Sequence, residues 1–123
     1  MTMGKTFLLI IGFWATLSFA ADRDARTDQE IRHLTAYLRT AQCEFYRNGS
    51  WHNPEKAVAH IEKKYRYLAA RGLIGSAEQF IERAATQSSL SGKPYMVKCP
   101  GSEPEPSADW FTKELMRFRS TNP

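Results

Sequence analysis

Basic side chains recur between Asn53 and Arg71 at a spacing that can do work. Lys56, His60, Lys63 or Lys64, Tyr67 and Arg71 follow one another at intervals of three and four, so on a helix they share one face. Five Lys or Arg stand there against Glu55 and Glu62. Such a face can dock an anionic partner; a plain solvated helix face has the same composition. A second candidate is the loop 86–95. Ser88, Ser89, Ser91 and Lys93 offer hydroxyls and an ammonium beside Gly92, a setting that can cradle an oxyanion or hold a serine activated by a desolvated lysine. The spacing argues against the second chemistry. Ser89 precedes Lys93 by four residues rather than three, and no G-x-S-x-G elbow is present. No Ser-His-Asp arrangement is legible.

The histidines are His33, His52 and His60, and no two lie four apart. His52 and His60 would be separated by about 12 Å along a helix axis, too far to share an ion unaided. The two cysteines have no companion ligands at metal-site spacing, so neither a metal nor a cofactor is expected. His52 follows the Asn48-Gly49 turn, and His60 shares a face with Lys64, so both can line one cleft.

The elements that must position these groups read as helices. Thr27 to Glu30 has the form of a capping box, and Ile31, Leu34, Leu38, Ala41 and Phe45 continue as one apolar stripe. This predicts a first helix over 28–47, stopped by Asn48-Gly49. Asn53-Pro54-Glu55 opens a second over 54–71 around Val58, Ile61, Tyr65 and Leu68. Ser76 to Gln79 caps a third over 77–86. Ser107 starts a fourth over 108–119, after an extended stretch near 95–98 and a proline-spaced connector at 100–106. The expected fold is all-α: one small domain of three to four helices with one disulfide.

Compartment comes from the N-terminus. Lys5, the apolar run Phe7 to Leu17, and Ser18-Phe19-Ala20 form a secretory leader over 1–20, cut between Ala20 and Ala21. The run is short for a membrane span, so the released chain is not expected to span one. Export leads to an oxidising compartment, where Cys43 and Cys99 pair. Losing Lys5 leaves 16 basic against 13 acidic residues, a net +3. That charge tolerates an anionic lipid or cell-wall neighbour. Nucleic acid is not expected, for no recognition motif appears.

Four stretches carry a resemblance: Phe45 to His52, Ala57 to Lys64, Ser76 to Ile81, and Ser89 to Tyr95. In order and together they resemble the YfeK-like family, small exported bacterial proteins with a domain of unknown function, over about residues 28–119. The resemblance implies a periplasmic location and brings no activity or cofactor. It selects polar groups that packing does not need: Arg47, Asn48, His52, His60, Lys64, Glu78, Ser89, Ser91 and Lys93. These can converge on one polar cleft, or serve as caps and a structural network with His60 bonded to a loop carbonyl. The reading favoured is a non-enzymatic periplasmic binding or accessory protein of the envelope, its partner an envelope protein or an anionic wall or lipid component. Alternatives are a cell-wall hydrolase or transferase using His52 or His60 with the serine loop, and an inhibitor or immunity protein against a wall-degrading enzyme.

Overall fold

A computed structural model describes residues 17–123, with side chains from Ala25 onward. Residues 1–16 of the expected leader lie outside it, and only the backbone of the Ala20–Ala21 junction is described. The order is α1 (Leu17–Thr40), β1 (Glu44–Arg47), β2 (Ser50–His52), α2 (Pro54–Ala69), α3 (Ala77–Ala84), β3 (Met96–Lys98), β4 (Glu105–Pro106) and α4 (Ser107–Thr121). The strands form one antiparallel sheet in the order β2-β1-β3-β4. The all-α expectation is therefore wrong: this is an α+β domain.

The correction centres on residues 41–52. The first helix ends at Thr40, and Asn48-Gly49 turns a β-hairpin instead of stopping a helix. Both turn residues have positive φ, 49° and 90°, as a two-residue turn that matches strand twist requires. Phe45 is buried at 7% exposure and fits either period. It is four residues beyond Ala41 on a helix, and it also faces inward from β1, opposite Val97 and His52. One step further along this ladder Cys43 faces Cys99, and the two form the expected disulfide.

The predicted capping box at Thr27–Glu30 is not formed, because α1 runs through it. Thr27 instead reaches the Gly75 carbonyl. Glu30, only 4% exposed, accepts two hydrogen bonds from Arg119 at 2.8 Å. Glu114 is equally buried and is met by Arg117 and by His33 Nε2. These pairs tie α4 to α1 and satisfy carboxylates that would be costly to bury alone.

The second and third helices start where local chemistry says they should. The Asn53 side chain accepts from Lys56 N at 2.9 Å, and Ser76 Oγ from Gln79 N at 3.1 Å. One core joins Ile31, Leu34 and Leu38 of α1 to Val58 and Ile61 of α2, Phe80 and Ile81 of α3, and Trp110, Phe111 and Leu115 of α4. Phe45 and Val97 close it from the sheet. The hairpin thus lies against α2, and the gap between them is the feature that matters for function.

Candidate functional site

Between the hairpin and α2 opens a pocket of about 330 Å³. Arg47 enters from β1 and His52 from the end of β2, whereas Lys56, His60 and Lys63 come from successive turns of α2. Buried Phe45, Ile61 and Tyr95 form the floor, with Ala57, Tyr46 and Met96 on the walls. Lys56 and Lys63 are exposed, so they stand at the mouth. Among the described residues no Asp or Glu lines the pocket.

At its inner end the hydrogen bonds run in one direction. Lys64 Nζ donates to the Gln87 carbonyl at 2.7 Å and to Tyr95 Oη at 3.3 Å. An ammonium can only donate, so the tyrosine oxygen accepts there and passes its own proton toward His60 Nε2, 2.9 Å away. That bond requires a lone pair on Nε2 and places the imidazole proton on Nδ1. Neutral His60 is also what electrostatics favours. Burial, then the charges of Arg47 and Lys64, hold its pKa down to about 4. Burial and Arg47 also lower the Lys64 pKa. Burial raises that of Tyr95, keeping the phenol protonated.

Ser107 adds a hydroxyl to the lining. It was expected to cap α4, but Pro106 occupies that position and makes no side-chain cap. Ser107 is 2% exposed, and among the described residues its Oγ has no hydrogen-bond partner. Among the described residues no buried side-chain N or O atom is left unsatisfied, so the sliver of Ser107 that stays accessible includes this oxygen.

Of the groups selected from sequence, Arg47, His52 and His60 meet in the pocket, and Lys64 braces it from behind through Tyr95. Asn48 and Ser91 meet each other: Ser91 Oγ donates to Asn48 Oδ1 at 2.8 Å, fastening the serine loop to the hairpin turn. Ser89 and Lys93 are exposed and do not line the pocket. Glu78 is elsewhere, paired with Arg119, which lowers its pKa. The serine loop itself is a tight turn: buried Ser88 accepts from the amides of Leu90 and Ser91. Among the described residues no serine hydroxyl bonds to a histidine.

Sequence reasoning missed Tyr95, Lys56, Lys63 and Ser107 as parts of the site. Lys56 and Lys63 were visible on the basic face of α2. Tyr95 carried no local signal, since its partners lie 31 and 35 residues away. Arg71, expected on the same face, does not line the pocket; its guanidinium stacks 3.5 Å over Tyr67. No group of three or more His, Cys, Asp or Glu side chains among the described residues could hold a metal ion. No described helix is long and apolar enough to cross a membrane.

No solved structure matches the chain. Residues 25–119 match the model of a family of unknown function, DUF5329. The chain is also similar to the uncharacterized protein YfeK of Salmonella typhimurium strain LT2, at 38% identity over 94 residues, which cover 76% of this chain and 77% of that one. Residues 25–119 hold the hairpin, α2, Tyr95 and Ser107, and the chain belongs to the YfeK-like family of unknown function, DUF5329.

Proposed function

We propose that this protein is a non-enzymatic binding protein of the bacterial envelope, and that the pocket between the hairpin and α2 takes an anionic ligand. One observation carries the reading. Arg47, His52, Lys56, His60 and Lys63 converge on a single pocket with no carboxylate among them. Like charges at close quarters oppose one another: burial is the first cause of the lowered pKa of His60, and the charges of Arg47 and Lys64 add to it. An oxyanion relieves that repulsion and lets His60 take up a proton.

A hydrolase working through the serine loop would need its nucleophile beside the imidazole. Ser89 is exposed without a histidine partner, and the Tyr95 hydroxyl is held protonated. The disulfide supports placement in an oxidising compartment such as the periplasm.

The test is a melting curve with sulfate, which keeps its charge between pH 5 and 7.5. Sulfate should raise the melting temperature of the wild type by mass action, and more at pH 5 than at pH 7.5. Melting that ignores sulfate at both pH values refutes the reading.

A further inference from the structure

The pocket is larger and greasier than a bare oxyanion needs. A water molecule claims about 30 Å³, so 330 Å³ is room for an organic molecule. Its size falls at the lower end of ordinary small-molecule sites. The arrangement is also two-sided. The floor and walls are Phe45, Ile61, Met96 and the Tyr95 ring, while two of the cations, Lys56 and Lys63, are exposed at the mouth. Sulfate seated among those cations would leave the apolar floor wetted by water that gains nothing from the walls. Only a ligand with charge at one end and hydrocarbon at the other satisfies both.

We infer that the ligand is an amphiphilic anion, a carboxylate or phosphate on an acyl or aryl body, with its charged end at Lys56, Lys63 and Arg47 and its apolar body on Phe45 and Ile61. This rests on the anion-binding reading above and narrows it to a ligand class. Ser107 Oγ, unpartnered among the described residues, lies beside that floor. It offers a polar contact to a substituent carried on the body.

Chain length makes the inference measurable. Each methylene that leaves water for the floor is worth about fourfold in affinity. Titration calorimetry of the folded, disulfide-bonded protein with acetate, butyrate, hexanoate and octanoate, all below micelle-forming concentrations, should give dissociation constants falling on the order of tenfold per two carbons. The fall should level off once the pocket is full. Octyl phosphate against octanoate distinguishes the two head groups. 1-Octanol, with no charge, should bind at least tenfold more weakly than octanoate. An Ala57→Leu variant narrows the wall and should flatten the chain-length series.

The outcomes separate cleanly. Sulfate binding with a flat alkanoate series overturns the amphiphile and leaves the anion reading standing. Binding of 1-octanol as tight as that of octanoate overturns the charged end. Neither sulfate nor any alkanoate binding overturns both. The wild-type series decides the matter even where Ala57→Leu fails to fold.

Discussion

Replacing His60 with Gln should change how stability depends on pH, and the two proteins should exchange rank. His60 has its pKa lowered from 6.5 to about 4 in the folded chain. In the unfolded chain it charges near 6.5. Between those values the unfolded state holds the extra proton, so stability is intact above pH 6.5 and is lost as pH falls toward 4. The full shift corresponds to about 3.4 kcal/mol at 1.36 kcal/mol per unit. His60 is only part-buried, so solvent screening brings the expected loss to about 1–2 kcal/mol. At pH 7.5 the variant forfeits the Tyr95 bond and should be less stable by about 1 kcal/mol. At pH 4 the wild type has lost its margin, and the variant should equal or exceed it. Urea unfolding of both proteins at half-unit steps from pH 4 to 7.5 reads this difference, and carboxylates common to both cancel. A difference that stays constant across the range would refute the assignment of His60 as a neutral, charge-crowded imidazole.

Breaking the Cys43–Cys99 bridge, which joins residues 56 positions apart, should cost about 4 kcal/mol by loop-closure entropy. Chemical unfolding of a Cys43→Ala/Cys99→Ala protein measures it, and a loss under about 1 kcal/mol would show that the sheet needs no staple. Arg119→Met should cost about 3 kcal/mol, because it takes both hydrogen bonds from the Glu30 carboxylate at 4% exposure and leaves it only Arg26 at 3.8 Å. Adding Glu30→Gln to that variant should restore part of the loss in the same assay, and no recovery would count against an ionic origin. Exported protein should begin at Ala21; an intact mass that still includes the leader would place the cut elsewhere or exclude it.

The helical half of the fold was legible because its signals are local. Asn53 and Ser76 cap the helices they precede, and Val58, Ile61, Phe80 and Ile81 are buried where their spacing puts them. The extended stretch near 95–98 was legible and is β3; the hairpin was not, because Asn48-Gly49 tolerates positive φ equally well as a helix stop and as a hairpin turn, and Phe45 fits both periods. The decision between them is made by β3, whose residues 96–98 pair with 44–46 from half a chain away. Glu30 failed as a capping residue for the same reason: its partner Arg119 lies 89 positions on.

The site divides along the same line. Arg47, His52 and His60 were found through the basic face of α2 and the motifs beside it. Tyr95 and Ser107 were missed because nothing near either residue marks the pocket that the fold wraps around them. Conversely, Ser89 and Lys93 looked chemically able, but the turn built on Ser88 points their neighbourhood at solvent.

The central claim is that a cation-lined pocket, crowded when empty, takes an anion and a proton together. Calorimetric titration of sulfate at pH 5, in two buffers of different ionisation enthalpy, measures both at once. Saturable binding to one site should come with proton uptake that shrinks in the His60→Gln protein and vanishes at pH 7.5, well above the pKa at which His60 charges. Sulfate that binds nowhere at pH 5, or binds without taking up a proton, would contradict the account.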